Sequence, residues 1–302
     1  MMPLITTKKK QDYMRTMEAM TRKRTQWRDI ARRLIKNKLA VVGLVIVVVL
    51  LVLVVFAGLF TRYQYDAQDF VSKFSFPSWS HLMGTDNFGR DIWTRLLYGG
   101  RISLLVAVLS VAFSLAIGIV LGATAGYFGG KYEVIVTRLL DIMMAIPALL
   151  LAIAISAVLG SGPLNTAIAI ATAGISPSAR IIRSTVMSIK GQEFVEAARA
   201  TGSSHLRVIF RHIMPNSLAP LIVDSTLRIG YSIMAISGLS FIGLGVQPPI
   251  PEWGSILASG REFIRQFWPM TVFPGIFIAL TLFGFNLFGD GLRDALDPKL
   301  KN

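Results

Sequence analysis

Two stretches of this 302-residue chain approach the spacing of catalytic loops and then depart from it. Ala125-Gly-Tyr-Phe-Gly-Gly-Lys131-Tyr132 has the glycine–lysine pair of a phosphate loop, in which backbone amides cradle phosphate. Ala125, however, stands where that loop opens on glycine, and Tyr132 where it needs serine or threonine. Gly238-Leu-Ser-Phe-Ile-Gly243 holds a serine between glycines as a nucleophile elbow does, with one residue too many after the serine. His81, His205 and His212 stand too far apart, without clustered carboxylates, to read as a metal site. The absence of cysteine excludes disulfides, thiolate chemistry and Cys-based zinc or iron–sulfur centres. The chain is expected to hold no catalytic residue, no metal and no cofactor of its own.

Ionisable residues within apolar sequence are the next candidates, because a charge in lipid costs free energy and needs a reason. Asp224 and Arg228 are spaced i, i+4, so on a helix they share a face and can pair. A structural pair, a substrate or proton role, and a gating or inter-subunit pair all fit that spacing. Asp141 and Asp290 stand near the ends of apolar runs, where snorkelling or capping accounts for them.

The remaining candidate is a segment built for contact. Residues 193–215 read EFVEAARATGSSHLRVIFRHIMP. The pattern predicts a short helix over 191–201 with Phe194, Ala197, Ala198 and Thr201 on one face and Glu193, Glu196 and Arg199 around the rest. Gly202 then permits a turn that other residues resist. Leu206, Ile209, Phe210 and Ile213 recur at i, i+3, i+4 and i+7 and predict a second amphipathic helix, with Arg207 and Arg211 on its other face. Pro215 marks entry into the next apolar run. Helices this short are marginal in water and must pack on their own bundle or on a partner. Small Ala197 and Ala198 let a foreign surface come close, although a loop lying on lipid headgroups fits the same residues.

The elements that must position these residues are membrane spans. Hydrophobic residues make up 53% of the chain and charged ones 16%, too little polar surface for a water-soluble fold. Leu39 to Phe60 is 22 residues without a charge, roughly 33 Å as a helix and enough to cross a bilayer core. Further apolar runs cover 102–124, 142–179, about 216–243 and about 268–289. The run 142–179 is nearly twice the length of one span and carries Gly160-Ser-Gly-Pro-Leu-Asn165 in its middle, so it is read as two spans joined by a turn. The expectation is an all-α membrane protein with six transmembrane helices. Lys and Arg number 23 on the side that holds both termini, the 125–138 loop and 180–215, against 7 in the opposite loops, which puts both termini in the cytoplasm.

The expected divisions are a basic tail at 1–38, a first span at 39–60, an outside segment at 61–101, a core at 102–290 and a tail at 291–302. The Val- and Leu-rich first span suits lipid and is expected at the periphery, whereas the Ala-, Gly- and Ser-rich sequence of 116–126 and 152–179 suits close helix contact in a five-helix core. Residues 84–101 mix Trp, Tyr and Arg as an interface-lying helix does. The N-terminal basic cluster (Lys8, Lys9, Lys10, Arg22, Lys23, Arg24, Arg28 and onward) reads as topology signal and lipid-headgroup contact rather than nucleic-acid binding.

Glu196-Ala-Ala198, three residues, Gly202, then Ile213-Met-Pro215 resembles the EAA motif of permease subunits of bacterial and archaeal ABC importers, with Met214 where leucine is usual. GTDNFGRDIWTRLLYGGRISL (84–104), AGYFGGKYE (125–133), FIGLGVQPPIPEWG (241–254) and LRDALDPKL (292–300) resemble the dipeptide and oligopeptide class of those permeases. The resemblance implies a type I importer fold and a coupling segment at 190–215 seated on a cytoplasmic ATPase, with Glu193, Glu196, Ala197, Ala198, Gly202, Arg207, Ile213 and Pro215 as coupling residues. It further implies a second permease subunit, two ATP-binding subunits that carry ATP and Mg, and an extracytoplasmic substrate-binding protein. Nickel and glutathione are alternative cargoes within that class. An ion-coupled secondary transporter is the alternative outside it, although the expected internal repeat is not visible.

Overall fold

A computed structural model of the chain describes residues 26–296. Most of the N-terminal basic cluster, Lys8 to Arg24, and residues 297–302, which close the last of the resembling motifs, lie outside the described residues. The helices are α1 (Gln26–Lys36), α2 (Lys38–Val55), α3 (Ile92–Phe128), α4 (Gly130–Ala145), α5 (Ala148–Leu159), α6 (Pro163–Ile189), α7 (Glu193–Ala200), α8 (His205–Phe241), α9 (Trp253–Gly260) and α10 (Pro269–Leu296). Single helical turns lie at Ala57–Phe60, Phe70–Ser72 and Arg261–Phe263.

Asn37 separates α1 from α2 and caps the latter: its Oδ1 accepts the Leu39 and Ala40 amides at 3.1 and 3.2 Å. One side of α2, with Val42, Val45, Val49 and Val52, is exposed, while Gly43, Val47, Leu50 and Val54 are buried. Gly43 lets α2 reach the α10 backbone, since a Cβ there would stand 2.6 Å from the Phe288 nitrogen. The central seam joins α3 to α6 through Gly118, Gly122 and Gly126. A Cβ would meet Ser178 Cβ at 2.7 Å, the Ala179 carbonyl oxygen at 2.3 Å and the Arg183 carbonyl oxygen at 2.8 Å, in that order. Only glycine allows this approach of two backbones.

The 142–179 run turns where its Gly and Pro residues stand. Gly160 and Gly162 take φ of 82° and 135°, and Pro163 opens α6. Its first half differs from a single span. The chain breaks at Ile146-Pro147, and α4 and α5 meet at a bend of 88°. Pro147 has no amide to continue the ladder of α4 and pushes Ile146 into an extended conformation (ψ 127°).

Among the described residues, four helices are long and apolar enough to cross a membrane, namely α2, α3, α8 and α10, and five if the bent pair α4–α5 counts as one span. Helix α6 is 27 residues long but carries Asn165, Arg180 and Arg183 and falls outside that group.

The interface-lying helix expected at 84–101 is not found, and this is a correction. Residues 92–101 are the opening turns of α3, and Thr85, Asp86, Arg90, Asp91, Thr94 and Arg95 are buried. The reason is local charge satisfaction. Asp91 caps α3 by accepting the Thr94 amide at 2.8 Å, and Asp86 takes Arg90 at 2.6 Å with Arg95 at 3.6 Å. Paired, these groups tolerate burial.

Candidate functional site

Helices α7 and α8 form a knob at one end of the bundle, and its turn follows from one glycine. The Gly202 amide donates to the Arg199 carbonyl at 2.9 Å and the Ser203 amide to the Ala198 carbonyl at 3.1 Å. These two bonds are the paired closure of a helix that ends on a left-handed residue, and Gly202 has φ 80°. Glu193 and Glu196 lie exposed in the first turn of α7, where carboxylates favour the positive end of the helix dipole.

The buried face of α7 is Val195 and Ala198, whereas Phe194, Ala197 and Thr201, three of the four residues that the pattern puts on one face, are exposed. Val195 and Ala198 rest on Val208, Ile209 and Ile213, all fully buried. The second helix of the knob runs straight into the following span. Val208–Ile213 is a π turn and Met214–Ser217 a 3-10 turn that carries Pro215 through to Leu218. The wide turn splits the expected apolar face, sending Ile209 and Ile213 inward and leaving Leu206 and Phe210 62% and 49% exposed. Arg207 and Arg211 are exposed too. Phe194, Ala197, Leu206 and Phe210 therefore form apolar surface in a segment otherwise rich in charge.

Tyr127, at the end of α3, buckles the knob to the bundle. Its hydroxyl meets His205 Nδ1 at 2.9 Å, and the Arg199 guanidinium lies 4.8 Å from its ring centre. The Lys190 ammonium donates to the Gly126 carbonyl at 2.9 Å, and Arg183 pairs with Glu133 of α4. The loop that approached a phosphate loop thus serves as the α3–α4 junction, with Gly129 and Gly130 at φ 69° and 61°.

Within the bundle, Arg228 Nε meets Asp224 Oδ2 at 2.6 Å, and Arg228 Nη1 donates to the Gly174 carbonyl of α6 at 3.0 Å. Asp141, assigned above to snorkelling or capping, instead pairs with Arg180 across α4 and α6. Among the described residues, no group of three or more His, Asp or Glu side chains has the arrangement of a metal site.

Sequence reasoning missed Glu252, which is fully buried at the opposite end of the bundle. Its Oε1 accepts the Ser103 hydroxyl at 3.0 Å, and its Oε2 accepts the Ser255 amide at 2.9 Å, capping α9. Burial pushes its carboxyl above the ordinary range, partly offset by hydrogen bonds from Gly254, Ser240, Ser255 and Ser103. Beside it Trp253 donates to the Leu96 carbonyl at 2.8 Å and lies against Gly100, so the 84–104 and 241–254 motifs meet in one buried contact. The local signal was Glu252 before an apolar helix; its partner Ser103, 149 residues away, had none.

The family model described as binding-protein-dependent transport system inner membrane component matches residues 118–302. The chain belongs to that family. A second model, the N-terminal transmembrane domain of oligopeptide transport permease C, matches residues 25–77. The dipeptide transport system permease of Alkalihalophilus pseudofirmus is 48% identical over 91% of each chain. The oligopeptide transport system permease of Bacillus subtilis is 39% identical over 91% of this chain and 90% of its own. The glutathione transport system permease of Escherichia coli is 42% identical over 92% of each. A chain of the MetNI methionine ABC transporter, solved in inward-facing form, superposes with a TM-score of 0.55 at 18% identity, covering 67% of this chain and 96% of its own.

The fold of this permease is accordingly that of type I ABC importers, and it is a multi-pass inner-membrane protein that is not itself catalytic. Membership implies an ATPase and a binding protein as its partners. The permease geometry suits mechanical transmission: a capped, hinged projection, rooted in two long helices, with unshared apolar side chains beside its hinge.

Proposed function

We propose that this permease is a subunit of an ATP-driven importer that carries di- or oligopeptides across the cytoplasmic membrane by alternating access. Its partners are a second, homologous permease, two cytoplasmic subunits that bind ATP and Mg, and an extracytoplasmic substrate-binding protein. The six spans are α2, the bent α4–α5 pair, α3, α6, α8 and α10, with α2 peripheral to a five-helix core. Both termini and the 190–215 knob face the cytoplasm, and 61–101 and 244–267 face outward, as the distribution of Lys and Arg favours.

The observation that carries this reading is the knob. Phe194, Leu206 and Phe210 are exposed around a hinge whose φ suits glycine, on a helix continuous with a span. Glu193, Glu196, Ala197, Ala198, Gly202, Arg207, Ile213 and Pro215 are the coupling residues. Ala198 and Ile213 act from inside as packing, Gly202 and Pro215 shape the chain, and the others meet the ATPase. A rocking importer moves cargo only if nucleotide changes the relative stability of two packings, which requires a stiff contact between motor and bundle.

In proteoliposomes that hold the whole complex, Gly202→Asp and Glu196→Lys are expected to leave the permease inserted while ATP hydrolysis no longer drives uptake. Normal uptake by both variants refutes the assignment. The relative that carries glutathione in its name favours a modified tripeptide as a second cargo, and competition between glutathione and dipeptides for uptake separates the two. Ion coupling fits less well, because Asp224 and Arg228 satisfy each other and Gly174.

A further inference from the structure

At the end of the bundle that carries Glu252, three separate stretches of chain converge on a cleft of about 690 Å3. Gln68 and Asn87 line it from the segment before α3, Gln247 from the loop after α8, and Ser259, Arg261 and Glu262 from α9 and the turn that follows. That volume lies within the roughly 300–1,000 Å3 of small-molecule sites. The side-chain oxygen of Asn87 is buried and has no hydrogen-bond partner within the protein, an arrangement that a folded chain keeps only at a cost.

The chemistry of the lining is that of a polypeptide main chain. Side-chain amides both donate and accept, as the peptide groups of an extended chain do; Arg261 and Glu262 supply charges of both signs, and Arg90, also in the lining, is held by Asp86. Contacts of this kind are indifferent to side-chain identity, which is what a carrier of varied peptides requires.

The position of the cleft gives its occupancy a consequence. Ser240 and Phe241, the last residues of α8, form part of its wall, and α8 begins at His205 in the knob. We propose that this cleft receives the peptide as it leaves the binding protein and holds it by its main chain, through the side-chain amides of Gln68, Asn87 and Gln247 that line it. The proposal rests on the peptide-importer reading above.

The test uses the complete complex in proteoliposomes with its binding protein and a radiolabelled dipeptide bearing a diazirine side chain. In complex trapped with ATP and vanadate, irradiation should label the cleft near Gln247 and Glu262. Asn87→Leu and Gln247→Leu should each lower that labelling and the maximal uptake rate at least tenfold. The binding-protein concentration that half-stimulates ATP hydrolysis should stay the same. Two variants are used so that a folding defect in one does not decide the matter. A raised half-stimulating concentration without labelling of the cleft identifies the occupant as a loop of the binding protein and overturns the proposal. Peptide uptake by the unaltered complex with no label in the cleft, or with both variants transporting normally, overturns the cleft alone. Absence of peptide uptake by the unaltered complex overturns the importer reading and the cleft with it.

Discussion

Gly202 and Gly191 flank the same short helix, and they separate backbone strain from steric crowding. A Cβ at either position meets nothing within 4 Å, so neither substitution to alanine causes a clash. Gly202 alone has a left-handed φ, 80°. An L-residue held there costs roughly 1–2 kcal/mol, which lowers the population of the closed turn about 5- to 30-fold. At Gly191, alanine reduces only the freedom of the unfolded chain and stabilises by about 0.4–1 kcal/mol. Asparagine tolerates the left-handed region better than alanine and should fall between the two at 202. Hydrogen exchange reads the turn directly, because the Gly202 and Ser203 amides are the donors that close it. Their exchange should accelerate about 5- to 30-fold in Gly202→Ala, less in Gly202→Asn, and not at all in Gly191→Ala. Peptide taken up per ATP hydrolysed should fall in that same order, while the thermal unfolding of the bundle stays constant. If Gly202→Ala exchanges and couples as Gly191→Ala does, the left-handed turn does not hold the knob in shape and the reasoning fails.

Gly122→Ala should lower the thermal unfolding midpoint, because its Cβ would stand 2.3 Å from the Ala179 carbonyl oxygen and overpacking typically costs 1–3 kcal/mol. Gly238→Ala, with nothing within 4 Å, should be neutral or stabilising by up to about 1 kcal/mol. The raised Glu252 carboxyl means that the folded state binds its proton more tightly than the unfolded one. Its contribution is therefore fully present below the ordinary carboxylate pKa and is lost as pH rises through the folded value. The unfolding midpoint of the wild type should accordingly fall, relative to that of Glu252→Gln, as pH rises from 4 to 8, and a gap that moves the other way contradicts the burial. Arg228→Met leaves Asp224 without its guanidinium and should cost more than the Asp224→Asn, Arg228→Met double variant, up to about 3–5 kcal/mol for a pair fully out of water and less for this partly exposed one. A double-mutant cycle on thermal unfolding measures that difference.

The features legible in the sequence are those written within a few residues of each other. Gly202 after EAARAT reads as a helix stop, Asp224 and Arg228 at i, i+4 read as a pair, and Gly160-Ser-Gly-Pro reads as a turn, and each has the corresponding geometry. Pro147 was as visible, yet an unbroken apolar run concealed that α4 starts at Gly130 and bends away by 88°. The inward face of α7 was not legible, because eight residues make barely two turns, too few to fix which side packs on the bundle. The π turn beneath Phe210 shifts the register of the second helix in a way that a fixed helical period does not anticipate. Glu252 with Ser103, Trp253 with Leu96, and Arg228 with Gly174 join residues 54 to 157 positions apart, and such contacts have no local signature.

The knob is rooted in two helices that meet the rest of the bundle through interfaces of different stiffness. Helix α6 enters it from one side and is seated on α3 where backbone meets backbone: the atoms that exclude a Cβ at Gly122 and Gly126 are the carbonyl oxygens of Ala179 and Arg183. No rotamer change relieves such a contact, so separating those helices sacrifices the seam outright. Helix α8 leaves the knob from the other side and meets α10 through side chains. Leu227 fills the space over Gly289, and Phe285 and Leu282 cover Gly230. Leucine and phenylalanine can repack between discrete rotamers, which lets this interface take up a second arrangement at lower cost. Arg228 ties the two walls together at Gly174, three residues before Pro177, the position in α6 that has no amide to give its own helix. A displacement entering at Gly202 is therefore expected to be resisted along α6 and passed along α8, whose last residues, Ser240 and Phe241, adjoin Glu252 and the cleft. On these grounds the α8–α10 contact is expected to repack more readily than the glycine seam of α3 with α6.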